Sequence, residues 1–185
     1  MNFQTGKNIV CDEIYRTLGA IDECSVQKLA ESIIVADKVF VIGVGRVLLM
    51  LQAFVKRLNH LGIKAYYVGA IGEPAITDKD VLIVGSGSGE SLIPITIVEK
   101  AREFRPKIIH IGSNMDSTVS RRSDLLVRIP CKTKLNLPDE MTSVQPMSSL
   151  FEQCLLILLD ITALMIIENK KIDLGILWHV HANLE

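Results

Sequence analysis

Short runs of apolar residues alternate with helical patterns along most of this chain. The apolar runs lie at 38–46, 64–69, 80–85, 107–112 and 124–130. Between them, apolar residues recur at helical spacing at 47–61 and 91–105, and a shorter helix is expected near 117–122. Continuous apolar strands separated by helices are typical of a parallel sheet that is covered on both faces. The pattern therefore predicts an α/β fold built on a five-stranded parallel sheet.

Helical patterns also precede and follow this alternating region. Apolar spacing at 2–20 and 26–34 predicts two leading helices. The apolar residues at 150–162 predict a long helix with Pro146 in its first turn. We divide a single domain (1–185) into three parts, which are the leading helices at 1–37, a parallel α/β core at 38–130, and C-terminal helices and tail at 146–185.

Two connections in this pattern are long for a compact domain. They lie at 69–79 and 131–145. Loops of that length are usually lids or binding loops, or else mobile segments.

Composition and charge narrow the class of protein. The 185 residues suffice for one domain with a sizeable core, and 49% hydrophobic against 22% charged residues exclude a disordered chain. The net charge of −1 provides no electrostatic footprint for nucleic acid. An anionic ligand must therefore be held locally, by loops.

The cysteines and the longest apolar segment indicate a cytosolic protein rather than a membrane protein. Four cysteines share no C-x-x-C spacing, which favours free thiols in a reducing compartment. The N-terminus lacks the basic-then-apolar pattern of a signal peptide. Glu152 and Asp160 interrupt the most membrane-like segment, 150–167, so we expect a buried or interface helix there.

The stretch VLIVGSGSGES at 81–91 carries the clearest indication of chemistry. It predicts a strand, a glycine-rich turn and a helix N-terminus, an order that presents unpaired backbone N–H groups and the positive end of a helix dipole. We interpret it as a phosphate cradle, and the alternative is a plain strand-to-helix loop with a helix cap. The predicted members of the cradle are Ser86, Gly87, Ser88, Gly89 and Ser91.

Two further glycine-bearing turns, GVGR and GSN, follow other strands of the predicted sheet. The carboxyl ends of parallel strands share one edge, so we expect all three turns to converge there. Gly45, Arg46, Ser113 and Asn114 thereby join the predicted binding site. Arg46 either contacts the ligand or is a solvated residue at a helix start.

Glu152 is the carboxylate most suited to catalysis, since it lies in a strongly apolar helix. It is either a general base or a structural glutamate paired with a lysine or arginine. His60 ends a predicted helix, where a histidine is usually a surface residue, and His179 and His181 lie in the tail. From its residues alone, the chain is a binder of a sugar phosphate or a similar anion.

Several motifs together resemble the sugar isomerase (SIS) domain family, and within it the 6-phospho-3-hexuloisomerase branch. They are GVGRVLLMLQAFVKRLNHLG, GSGSGES, SNMDST, SVQPMSSLFEQCLLILLD and the terminal HANLE. The resemblance covers about 38–185, and the QPMSSLFEQ and HANLE segments are its most specific parts. It implies a flavodoxin-like three-layer sandwich, commonly assembled as a homotetramer, that isomerises sugar phosphates in the cytoplasm without a metal or organic cofactor.

The resemblance also implies roles for individual residues. The reaction is the interconversion of 3-hexulose 6-phosphate and fructose 6-phosphate through an enediolate. The serines of the cradle would bind the phosphate, and Glu152 is similar to the catalytic base of the family. His60 matches a histidine that assists acid–base or ring-opening steps. His181 and Glu185 match a tail that reaches the site of a neighbouring subunit.

One loop departs from the family pattern. The family usually has G-x-G-R-S-G where this chain has Gly43-Val44-Gly45-Arg46-Val47-Leu48. A hydroxyl is lost, and leucine replaces a glycine, which would narrow the approach to the ligand. Two alternatives therefore stand beside the isomerase: a phosphosugar-binding regulatory protein without catalysis, and an isomerase of another ketose or aldose phosphate.

Overall fold

A parallel sheet of five strands forms the centre of the computed structural model, which describes residues 1–181, 183 and 184. The strands are β1 (Val39–Ile42), β2 (Ala65–Tyr67), β3 (Val81–Gly85), β4 (Lys107–Gly112) and β5 (Leu125–Arg128). They lie in the order β2-β1-β3-β4-β5, and each neighbouring pair is parallel. The five-stranded parallel sheet predicted from the apolar runs is confirmed.

Helices cover both faces of the sheet. They are α1 (Phe3–Gly19), α2 (Glu23–Val35), α3 (Arg46–His60), α4 (Leu92–Arg102) and α5 (Ser149–Lys170). Short 3₁₀ turns form at Ser120–Arg122 and Leu174–Val180. The three-layer arrangement is confirmed, although the helix predicted near 117–122 is only a 3₁₀ turn.

β1 and β3 are apolar throughout because each buries both of its faces. Alternate residues of a strand point to opposite faces of the sheet. Val39 and Val41 of β1 point into the larger core, on one face. Phe40 and Ile42 of the same strand point into the smaller core, which α4 covers. A strand between two apolar cores has no position for a solvated polar side chain, which explains the continuous runs.

The strand order places the glycine turns where a ligand can enter. The chain leaves β1 towards β2 and leaves β3 towards β4, so the order reverses between β1 and β3. At such a reversal the two following connections diverge and open a crevice at the carboxyl edge of the sheet. The turns after β1 and β3 flank this crevice.

The start of α5 differs from the prediction. Pro146 was expected in the first turn, but α5 begins at Ser149 and its N-cap is Ser148. Met147 has a φ of 54°, a left-handed conformation that cannot continue into a right-handed helix. Pro146 therefore precedes the helix.

α5 is a core helix that also presents apolar residues outwards. Its length and composition would suffice to span a bilayer, but 56% of its most apolar window is buried inside the protein. Leu155 and Leu159 are completely buried, whereas Ile161 and Leu164 are 40% and 61% exposed. The exposed side chains give α5 an apolar outer surface.

The long connection at 131–145 is folded rather than extended. An isolated β-bridge, formed by the backbones of Cys131 and Met141, brings the two ends of the connection together. The buried carboxylate of Glu140 accepts hydrogen bonds from the backbone N–H of Thr133 (3.0 Å), the Thr133 hydroxyl (2.7 Å) and the N–H of Leu137 (2.9 Å). These bonds fix the loop in one shape above the sheet edge.

Glu13 of α1 anchors the end of the same connection. Its carboxylate is 5% exposed and accepts bonds from the Ser143 hydroxyl (2.6 Å), the Val144 N–H (2.9 Å) and the Gln145 side-chain amide (2.9 Å). Burial raises the pKa of Glu13, but the three hydrogen bonds outweigh it, so the pKa is lowered overall. The leading helix thus holds the segment that enters α5.

We expect Glu13→Ala to lower the free energy of unfolding by about 3 kcal/mol, because three donors lose one buried, charged acceptor at once. Urea denaturation at pH 7 measures the change. Asp12→Ala is the matched control: its carboxylate is exposed and pairs only with Arg16 on the same helix, so the loss should stay below about 0.5 kcal/mol. Equal losses in both variants would contradict the anchoring role.

Candidate active site

The turns after β3 and β4 are bonded to each other at the carboxyl edge of the sheet. The backbone N–H groups of Ser113 and Asn114 both donate to the Gly87 carbonyl, at 2.9 Å and 3.2 Å. The turn after β1 adjoins them, since a β-carbon placed at Gly43 would lie 3.3 Å from the Gly85 carbonyl oxygen. The predicted convergence of the three turns is confirmed.

Ser86 and Ser88 shape the glycine-serine turn from within. The Ser86 hydroxyl accepts from the Gly89 N–H (3.1 Å), and the Ser88 hydroxyl accepts from the Glu90 N–H (3.3 Å). Gly89 has a φ of 64°, which only glycine adopts without strain. The two hydroxyl hydrogens stay available to a ligand, because each oxygen acts here as an acceptor.

The turn also presents backbone donors. The N–H groups of Gly87, Ser88 and Ser91 have no acceptor among the residues that the structure describes. Ser91 is the N-cap of α4, yet its side chain makes no capping bond. Helix capping therefore does not explain why a serine stands at this position. Unpaired N–H groups and the positive end of α4 form an arrangement suited to a phosphate.

A carboxylate next to this turn is directed elsewhere. Glu90 accepts a hydrogen bond from the Thr118 N–H at 2.7 Å. That bond is the main reason why the pKa of Glu90 is lowered. Its negative charge is thereby held against the β4–β5 connection.

Glu152 and Arg46 form an ion pair at the same edge. Arg46 Nε lies 2.9 Å from Glu152 Oε2; the arginine side chain is 61% exposed and the glutamate side chain 10%. The contact lacks the direction of a hydrogen bond, and Oε2 is buried without a hydrogen-bond donor among the described residues. A buried carboxylate oxygen that is ion-paired but accepts no hydrogen bond is unusual in a structural residue.

Gly45 and Val47 flank this ion pair at the start of α3. Gly45 is the N-cap, with a φ of 58°. Val47, which occupies the position of the usual serine, packs so closely on Gly43 and Gly85 that a β-carbon at either glycine would meet its Cγ1. The valine methyls thus lie against the strand ends.

Ser113 and Asn114 were predicted to contact the ligand, which stays a prediction, and in this structure both side chains bond within the protein. Ser113 is completely buried, and its hydroxyl donates to the Cys131 carbonyl at 2.8 Å. The Asn114 amide donates to the Ser88 carbonyl at 3.3 Å. These bonds use the hydroxyl hydrogen of Ser113 and one of the two amide hydrogens of Asn114.

His60 lies far from Glu152 within the chain. Arg46 and His60 are the two ends of α3, roughly 20 Å apart at the rise of an α-helix. Asn59 donates to the carbonyl of Ala65, which begins β2, so the end of α3 lies at the amino edge of the sheet. The three predicted catalytic residues, Glu152, His60 and His181, therefore do not meet at one site within a single chain.

His181 lies near His60 at this other edge. Their ring centroids are 5.4 Å apart, and Trp178 lies 5.5 Å from His181. Leu174 and Leu177 complete a cavity of about 160 Å³ beside the rings. Glu185, which was predicted to act with this tail, lies outside the described residues.

Sequence reasoning missed two features of the site. A cavity of about 460 Å³ beside the turn is lined by Lys132, Thr133, Lys134, Asn136, Gln145, Met147 and Ser148. Thr133 connects it to the cradle, since its Cγ2 lies 3.4 Å from a β-carbon placed at Gly87. The length of the 131–145 connection was the only signal for this cavity.

The second missed feature is His110 of β4, which lies fully buried beneath the turn. Its Nε2 is 2.9 Å from the Ser86 carbonyl oxygen. Burial lowers the pKa of His110 to about 4, so the ring is neutral at pH 7. In the sequence, His110 lies within an otherwise apolar strand pattern and belongs to no motif that would mark it as a functional residue.

Comparison with known proteins gives one consistent result. The SIS domain family model matches residues 32–163. The chain is 34% identical to a 3-hexulose-6-phosphate isomerase of Bacillus subtilis, over 95% of each chain. It is 33% identical to a protein of the same name from Mycobacterium gastri, over 96% of this chain and 89% of that protein.

A solved structure agrees with these relatives. A Methanococcus jannaschii protein is 30% identical and superposes with a TM-score of 0.85, over 98% of this chain and 99% of that one. From its crystal structure, that protein was inferred to have the molecular function of a 3-hexulose-6-phosphate isomerase.

Proposed function

Because this chain belongs to the SIS domain family, we propose that it is a sugar-phosphate isomerase that interconverts 3-hexulose 6-phosphate and fructose 6-phosphate. The observation that carries the proposal is the placement of a phosphate cradle and the Glu152–Arg46 pair at one sheet edge. Relatives over nearly the whole chain bear the name of this activity.

Each group at the site has a separate role in the proposed reaction. The N–H groups of Gly87 and Ser88, with the Ser91 hydroxyl, bind the phosphate. Glu152 removes the proton from C3 of fructose 6-phosphate, and the electron pair forms the C2=C3 bond of an enediolate. Return of the proton to C2 and transfer of the O3 proton to O2 leave a hydroxyl at C2 and the ketone at C3. Arg46 stabilises the negative charge that develops on the sugar oxygens.

His60 enters this scheme only through a second subunit. It cannot reach the Glu152 of its own chain, which lies at the opposite edge of the sheet. The exposed apolar side chains of Ile161 and Leu164 on α5 offer a surface for self-association. We therefore assign the protein to a homo-oligomer, a tetramer or a dimer of dimers, in which His60 and His181 of one subunit serve the site of another.

We also propose that the protein is cytosolic. Its four cysteines, Cys11, Cys24, Cys131 and Cys154, are all free thiols.

Incubation with fructose 6-phosphate in heavy water tests the function. We expect the proton on C3 to exchange for deuterium, followed by ¹H NMR, because the enediolate between C2 and C3 loses that proton. An isomerase of the aldose–ketose type would instead exchange a proton on C1. The position of the label thus distinguishes the proposed reaction from isomerisation of another sugar phosphate.

Absence of exchange at either carbon would overturn the proposal. If fructose 6-phosphate then still raised the melting temperature, the protein would be a binder without catalysis. The altered loop at Val47 and Leu48 is the feature that favours this second candidate.

A further inference from the structure

His110 is enclosed between the cradle and the β4–β5 connection. Its Nδ1 lies 2.8 Å from the Ser120 hydroxyl, and its Nε2 lies 2.9 Å from the Ser86 carbonyl oxygen. A β-carbon at Gly112 would overlap both the ring and that carbonyl, and one at Gly89 would lie 3.1 Å from the ring. The two glycines leave room for one buried imidazole and nothing larger.

The partners of the ring decide its tautomer. A carbonyl oxygen only accepts hydrogen bonds, so Nε2 carries the hydrogen and donates to Ser86. A neutral ring then has Nδ1 as an acceptor, 2.8 Å from the Ser120 hydroxyl. That hydroxyl also lies 2.9 Å from the Asn114 carbonyl oxygen, so its one hydrogen is shared between two acceptors. The firm bond of this completely buried ring is the one from Nε2 to the cradle.

The bond from His110 helps to set the direction of a donor in the cradle, together with the Gly89 N–H, which donates to the same Ser86 carbonyl at 3.2 Å. The C=O of Ser86 and the N–H of Gly87 belong to one trans peptide plane and point in opposite directions. When His110 holds the carbonyl inwards, the Gly87 N–H is directed outwards. That N–H has no acceptor among the described residues.

We infer that His110 is a positioning residue of the phosphate cradle, and that its Nε2–H aims the Gly87 N–H at the phosphate through the Ser86–Gly87 peptide. The inference rests on the proposed function, since it assigns a phosphate to this turn. His110 does not touch the ligand. It acts only through the peptide that it orients.

Two substitutions separate positioning from packing. His110→Gln keeps an amide N–H close to the position of Nε2, whereas His110→Leu fills similar space without a donor. We expect His110→Leu to weaken binding of fructose 6-phosphate and of inorganic phosphate by about tenfold, measured by calorimetry, because one bond to a charged group is misdirected. His110→Gln should stay within about threefold of wild type.

A steady-state assay gives a second readout. Positioning predicts a raised KM with kcat nearly unchanged in His110→Leu, whereas a loss of folded protein lowers the apparent kcat and leaves KM as it was. Should the leucine variant fail to fold, His110→Asn replaces it. Asparagine is too short to reach the Ser86 carbonyl, so it should show the same tenfold loss.

The outcomes distinguish this inference from the function on which it rests. Unchanged phosphate affinity in His110→Leu, with active wild type, overturns the positioning role alone. Equal losses in the leucine and glutamine variants also overturn it, since the donor then has no special part. Wild type that binds neither inorganic phosphate nor fructose 6-phosphate overturns both.

Discussion

Glu152→Gln should lower kcat for the isomerisation by about a thousandfold, since the variant lacks the base that removes the carbon-bound proton. Glutamine has nearly the same shape, and it keeps an oxygen that Arg46 can contact. The variant should therefore fold and still bind fructose 6-phosphate within about threefold of wild type, because the cradle at the α4 N-terminus is untouched. Exchange in heavy water and calorimetry measure the two quantities separately.

The control for this variant lies on the same helix. Glu168 is exposed near the end of α5, so Glu168→Gln changes the same charge without touching the ion pair. We expect Glu168→Gln to exchange the C3 proton of fructose 6-phosphate as wild type does. Retention of more than about a tenth of wild-type exchange in Glu152→Gln would remove the glutamate from the role of base, and Glu152 would then be a structural partner of Arg46.

The fold could be predicted from the sequence because its determinants are local. A strand that is buried on both faces is mostly apolar, and β1 and β3 show that directly. Helix patterns between them dictate a parallel sheet. The start of α5 was missed because the left-handed backbone of Met147 is not visible in an apolar pattern.

The site could be predicted only in part, because its partners are distant along the chain. Glycine and serine in one turn predicted the strand, turn and helix N-terminus that the structure shows at this position. The Ser113 hydroxyl was predicted to bind the ligand because its acceptor in the structure, the Cys131 carbonyl, is brought in by a different strand end. Likewise, composition left two readings of Glu152, and the structure shows that its Oε2 is ion-paired with Arg46 but accepts no hydrogen bond from the described residues.

His60 shows why a resemblance of residues does not give their geometry. Its position in the chain matches a histidine of the family, but the direction of α3 carries it to the amino edge of the sheet. A residue at that edge can serve the site only if another subunit brings its own carboxyl edge there. Catalysis by His60 and association of subunits are therefore a single hypothesis, and one experiment tests both.

Mixing two impaired variants should restore activity if the site is shared. We expect His60→Ala to lower kcat by about a hundredfold, and Glu152→Gln to be nearly inactive. In a hybrid dimer of the two, one site receives both substitutions and the other receives neither. Equal amounts that are unfolded and refolded together should recover about a quarter of wild-type activity, because half of the dimers are hybrids with one intact site.

The matched control for this mixture is Arg46→Ala with Glu152→Gln. These residues pair within one chain, so each site of a hybrid keeps one substitution and no activity should return. Recovery only in the His60 mixture establishes that the site joins two subunits. No recovery in either mixture, or full activity in His60→Ala alone, would exclude His60 from the neighbouring site and leave the carboxyl edge of a single chain to carry out the reaction.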